Sequence, residues 1–232
     1  MNALAKKSLG EIVAADIRAA GIFTDARIDF CCGGKKTLEQ ACREQGVDLS
    51  VLVSSLESLS QQPPLRGQNF NEWDLDVLAG YISNTHHKFV LRALPELVFY
   101  TQKIASVHAQ NHPELREVAR LFSEIDRELR QHLQKEEEVL FPAIDRIVRT
   151  PKEDHELDRA IIHSEIERMN SEHEFAGGAM DHIHEITLDY QVPADGCNTY
   201  LVAFKMLREF EEDLHLHVHL ENNILYPKAL NL

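Results

Sequence analysis

The sequence is short of positive charge, of cysteine and of long apolar runs. Its 24 lysines and arginines stand against 38 acidic residues, a net charge of −14. Nucleic acid and anionic membrane surfaces both call for basic patches, so neither is expected as a main partner. No run of about 18 apolar residues occurs, which removes a transmembrane helix. The opening residues carry Lys6 and Lys7, but no apolar core of signal-peptide type comes after them. Four cysteines, two of them adjacent, do not make a disulfide framework for 232 residues that can bury a core of their own. A cytoplasmic protein is the expectation. What is abundant is histidine, with thirteen copies.

Two of these histidines open a pattern that occurs twice. His132, Glu136, Leu140, Phe141 and Pro142 have the same spacing as His217, Glu221, Leu225, Tyr226 and Pro227. On an α-helix, side chains four apart share a face, so each copy aims an imidazole and a carboxylate the same way. Two such helices facing each other suit a pair of metal ions inside a helical bundle.

From Trp73 onward, four long helical stretches are separated by breakers. They span about 73–110, 113–149, 156–190 and 197–230, and Pro95 marks a kink or a new start in the first. Short connections between helices of similar length predict an all-α, up-and-down four-helix bundle over 72–232. Leu207, Phe210, Leu214, His217, Glu221 and Ile224 step by three and four, as do Leu121, Ile125, Leu129, His132, Glu136, Val139 and Leu140. Both His–Glu pairs therefore fall on core-facing stripes. Glu137, Glu138, His215 and His219 fall off them and are expected on solvated faces.

The repeat extends to the other two helices. His87 precedes His132 by about as much as His173 precedes His217, and His173 lies on a stripe with Ile166, Met169, Ala176 and Met180. His86 competes with His87, as a second-layer donor or a solvated residue. His108 comes after Leu97, Thr101 and Ile104 on one face, but a single imidazole there is more often a satisfied core residue than a ligand; His182 and His184 compete with it. His112, His155 and His163 read as surface or loop positions.

Ahead of the bundle, residues 1–60 form a small helical domain and 61–71 a linker rich in turn formers. One helix should carry Leu9, Ile12, Val13, Ile17 and Ala20 and end at Gly21. Thr37 and Gln40 have the form of a capping box, and Asp48 can cap a third helix. Between the first two lies Asp29-Phe30-Cys31-Cys32-Gly33-Gly34-Lys35-Lys36. The lysines and a nearby helix N-terminus favour thiolate. A turn that merely holds two small residues and a reactive thiol pair both remain open.

The donor set is rich in nitrogen, with two carboxylates and no thiolate. Structural zinc prefers cysteine, and calcium and magnesium prefer oxygen alone. Imidazole with carboxylate in a bundle core points to iron or manganese, the alternative being a metal-free network of histidine and glutamate. Two uncompensated buried carboxylates would make that network costly.

These residues resemble the hemerythrin-like di-iron set, and with the Phe-Cys-Cys-Gly-Gly stretch the whole chain is similar to the RIC family (repair of iron centres, the YtfE/ScdA/DnrN group). Leu94-Pro95-Glu96-Leu97, Val107-His108-Ala109, Ser171-Glu172-His173 and Leu220-Glu221-Asn222-Asn223 fit the group too. The resemblance implies a stress-induced protein that repairs iron–sulfur clusters damaged by nitric oxide or oxidants. It implies two iron ions bridged by Glu136 and Glu221, open to an oxide bridge, with His87, His108, His132, His173 and His217 as the remaining ligands. It makes Cys31 and Cys32 a functional site that helps deliver iron or handles a nitrosyl group. The implied partners are damaged iron–sulfur proteins, with nitric oxide or oxygen as small ligands; dimerisation is left open. A nitric oxide reductase and an oxygen-binding or redox-sensing module are the alternatives.

Overall fold

The computed structural model describes residues 3–62, 69–151 and 154–232. Most of the expected linker, Pro63 to Gln68, and Lys152 and Glu153 in the second break lie outside the described residues. The architecture is all-α, a small helical N-terminal part and then a four-helix bundle. By compactness the chain divides into Gly80–Leu214 and a second unit made of Met1–Ala79 with His215–Leu232.

In the N-terminal part, α1 (Leu9–Ala15) opens with a full capping box in which Ser8 and Glu11 satisfy each other's backbone N–H groups. The single helix expected to run through Ala20 is two. Asp16 adopts an extended conformation and its carboxylate takes the Arg18 N–H and guanidinium, so a new helix, α2 (Ala19–Asp25), starts with Gly21 inside it. Next come α3 (Leu38–Gln45), capped by Thr37 and closed by Gly46 at φ +69°, and α4 (Leu49–Ser60), capped by Asp48.

The bundle helices are long, and three are interrupted where the histidine and glutamate motifs lie. Leu75–Ile82 (α5) passes through a π turn, Ser83–His87, into α6 (Lys88–His108). Likewise α7 (Glu114–Lys135) passes through the π turn Glu136–Leu140 into α8 (Phe141–Arg149). After α9 (Glu156–Ile186), α10 (Asn198–Leu220) passes through the π turn Glu221–Leu225 into α11 (Tyr226–Ala229).

A π turn inserts one residue and rotates the helix beyond it, which is why Val139, expected on the core stripe, is 38% exposed while Leu140 is fully buried. It also explains the prolines. Pro142 and Pro227 sit at the start of the helix after each π turn, where a missing N–H costs little. Pro95, expected to kink or restart the first helix, lies inside α6 without ending it. The third helix stops four residues early: the Thr187 hydroxyl donates to Ile183 and accepts from the Tyr190 N–H, and Leu188, Asp189 and Tyr190 turn left-handed.

Within Gly80–Leu214, α6 packs on α7 and α7 on α9. The last helix joins them through Phe122 against Phe210 and through His184, whose ring lies 3.1 Å from Glu211. Leu97, Phe122, Ile125, Met169, Met180, Leu207 and Phe210 are fully buried there. This apolar packing holds rigid the helices on which the polar groups sit.

Candidate metal centre and thiol loop

In the bundle unit His87, His132, Glu136 and His173 gather in the interior, none more than 1% exposed. Glu136 Oε2 lies 3.3 Å from His87 Nε2 and 3.3 Å from His132 Nε2, and His132 Nε2 lies 3.0 Å from His173 Nε2. Two of the rings are held from behind. His87 Nδ1 is 2.8 Å from Glu137, and His132 Nδ1 is 2.9 Å from Glu172, which also takes the Lys135 ammonium. A carboxylate only accepts, so each Nδ1 carries a proton, and the neutral form of each ring has its Nε2 lone pair free for a metal ion. Burial alone would raise the Glu172 pKa, but the bonds from His132 and Lys135 outweigh it and hold the group at about 2. Phe141, the aromatic residue of the repeated motif, stacks on the His87 ring at 5.7 Å.

In the other unit His217 and Glu221 repeat the arrangement, Nε2 to Oε1 at 2.9 Å, with the carboxylate fully buried. In each unit, imidazole nitrogen beside a buried carboxylate is the donor chemistry that fits a borderline first-row transition ion. The residues thus suit the metal that the sequence suggests.

Several expectations change. Glu137 is no mere solvated residue: its carboxylate, 44% exposed, holds His87. His86 is buried rather than solvated and pairs with Asp213 at 2.9 Å. His155 is buried between Thr150 and Asp158. His219, placed on a solvated face, is fully buried, and burial lowers its pKa to about 4. The cause is the thiol loop, whose Phe30 ring meets His215 and His219 at 6.2 and 5.7 Å.

His108 does not join the interior group. It ends α6, 21 residues after His87, and a helix rises about 1.5 Å per residue, so the two stand roughly 30 Å apart. There its Nε2 lies 3.2 Å from the Sγ of Cys197, which precedes the first turn of α10. The imidazole, and after it the Tyr200 and Thr199 N–H groups, lowers the Cys197 pKa to about 7. Alkylation of Cys197 should therefore rise with pH through a midpoint near 7, and His108→Ala should move it up toward the ordinary thiol value of about 8.5. Rates at this cysteine, measured by peptide mass spectrometry, check it. Nothing in the spacing of His108 and Cys197, 89 residues apart, reveals the pair.

Cys31 is buried and Cys32 half-buried. The Asp29 carboxylate organises their loop, accepting from the N–H groups of Cys31, Cys32 and Gly33 at 2.9, 3.0 and 2.7 Å. The two sulfurs are 4.0 Å apart, and Cys31 Sγ is 3.1 Å from Asp29. The expected tilt toward thiolate does not hold for Cys31, whose pKa is pushed up by the hydrogen bond to Cys32, by burial and by the Asp29 charge. Lys36, expected to favour thiolate, is bonded to Glu44.

The fold and these donors define a class, a hemerythrin-like cation-binding bundle behind a cysteine-bearing helical domain. Residues 82–229 match the hemerythrin HHE cation binding domain, and residues 5–60 match a domain of unknown function, DUF542, also called ScdA_N. The chain belongs to the YtfE family of iron–sulfur cluster repair proteins. It is 34% identical over 224 residues to the iron-sulfur cluster repair protein YtfE of Yersinia pestis (strain Pestoides F), a match covering 97% of this chain and 96% of that one. Identity is also 34%, over 229 residues and with the same coverage, to the protein of that name from Musicola paradisiaca (strain Ech703). Among the described residues, no helix is long and apolar enough to cross a membrane.

Proposed function

We propose that this chain is a di-iron protein of the cytoplasm that restores iron–sulfur clusters damaged by nitrosative or oxidative stress by supplying iron to them. The proposed ligands are His87, His132, Glu136 and His173 with His217 and Glu221. His108, about 30 Å from His87 along α6, is left out of the proposed set. The observation that carries this reading is the pair of wholly buried carboxylates, Glu136 and Glu221, each one turn beyond a buried histidine. Such charges persist in a core when a cation compensates them. The relatives' name supplies the repair role.

When bound, the iron supplies a labile metal pool and open positions for nitric oxide or oxygen. The chain's own contribution is to fix the imidazole tautomers through Glu137 and Glu172 and to keep water from the donors. The thiols of Cys31 and Cys32 act at the loop that receives or passes on the iron, and damaged iron–sulfur proteins are the partners.

A variant with Cys31→Ser and Cys32→Ser should keep its iron and its optical signature while restoring damaged clusters poorly. Full repair by that variant would reject the thiol role, and full repair by iron-free protein would reject the iron role. Catalytic release of nitrous oxide under anaerobic turnover would instead favour a nitric oxide reductase.

A further inference from the structure

Asn223 lies two residues beyond Glu221 in the same π turn, and side chains two apart on a helix do not share a face. Its amide nitrogen lies 3.3 Å from the Phe30 carbonyl and 3.1 Å from the Cys31 carbonyl. It also lies 3.2 Å from His219 Nδ1. Two glycines make room for this amide. A Cβ at Gly10, on α1, would stand 2.7 Å from Asn223 Cγ, and one at Gly34, in the thiol loop, 2.8 Å from it. Both distances are shorter than any side chain tolerates, so either addition would push the amide away. The backbones of these glycines are joined by the bond from the Gly10 N–H to the Gly34 carbonyl, at 2.8 Å.

We propose that Asn223 is a positioning residue for the thiol pair: its amide latches the Phe30–Cys31 backbone to the turn that carries Glu221. The role of the thiols rests on the function proposed above, but the latch itself does not. Asp29 shapes the loop from within, and the Phe30 ring, set against His215 and His219, anchors it. Asn223 supplies donors for two carbonyls that face the helix. Only a donor serves there, since a carboxylate at the same place would confront two carbonyl oxygens with like partial charge. The pattern also gives the two glycines separate tasks, Gly34 on the loop and Gly10 on the helix beneath it.

The test is site-resolved alkylation of the iron-loaded full chain with iodoacetamide, read by peptide mass spectrometry across a pH series. Cys31 in wild type should react slowly, being buried and held protonated. Asn223→Ala and Asn223→Asp should each speed it by about tenfold or more, the factor set on local opening when a net hydrogen bond is lost. Gly10→Ala should do the same while leaving both Asn223 and the loop sequence intact. Iron content should stay at the wild-type level, and buried Cys42 on α3 should stay slow, which separates a released loop from general unfolding. Cys31 rates within twofold of wild type in Asn223→Ala would overturn the latch, as would a rise at Cys42 in step with Cys31. Cluster repair by the Cys31/Cys32 variant, measured separately, decides the thiol role independently of the latch.

Discussion

Glu136→Ala and Glu221→Ala are expected to leave anaerobic purification nearly free of iron, while Glu138→Ala keeps its full complement. These glutamates differ in what they touch. Glu136 and Glu221 are fully buried, each beside an imidazole, whereas Glu138 is exposed and accepts from the Gln134 amide. Glu137 and Glu172 stand between these extremes, each behind one histidine. Replacing either by glutamine should weaken iron binding by roughly 10- to 100-fold, the usual effect of losing the group that orients a metal-bound imidazole. Glu172→Gln should be the stronger of the two. Its carboxylate is 20% exposed against 44% for Glu137, so water screens it less, and it also loses Lys135. Elemental analysis ranks the alanine variants, and competition with a chromophoric chelator ranks the glutamine ones. Equal losses from Glu136→Ala and Glu138→Ala would refute the assignment of helix faces.

The bundle and its interior donors were legible because burial imposes a period on a helix. Leu207, Phe210, Leu214, His217 and Glu221 could keep their three-and-four spacing in no other way than by facing inward. The π turns were hidden, since one inserted residue leaves no mark on composition. Only the prolines at 142 and 227, stranded in helical runs, hinted at them. What lay beyond reading were contacts across long separations: Glu172 behind His132, Asp213 behind His86, Cys197 beside His108. A period along one helix says which way a side chain points, but not what another helix brings to meet it. The same blindness misplaced His219, whose face looks polar in sequence because its cover, Phe30, comes from nearly two hundred residues earlier. The stripe of Leu97, Thr101 and Ile104 makes His108 a weak candidate that resemblance raises to a ligand, while helix length sets it about 30 Å from His87.

Chelating the iron should lower the melting temperature of the wild-type protein by about 8–16 °C. A ligand held by the folded state alone at about a thousandfold excess over its Kd stabilises by about 4 kcal/mol. In a chain of this size each kcal/mol moves Tm by about 2–4 °C. Removal does more than withdraw that bond. It leaves Glu136 and Glu221 as buried carboxylates whose charge must be met by protons on themselves or on the surrounding imidazoles, at a cost of several kcal/mol per ion where it is not. Glutamine keeps the shape of each side chain and discards its charge. The Glu136→Gln/Glu221→Gln protein should therefore melt at one temperature with or without chelator, and above the melting temperature of metal-free wild type. A wild-type Tm indifferent to chelation would mean that these donors hold no structural cation. A double variant no more stable than metal-free wild type would mean that protonated histidines already neutralise the carboxylates, leaving the metal to add its bonds to a core that is balanced without it.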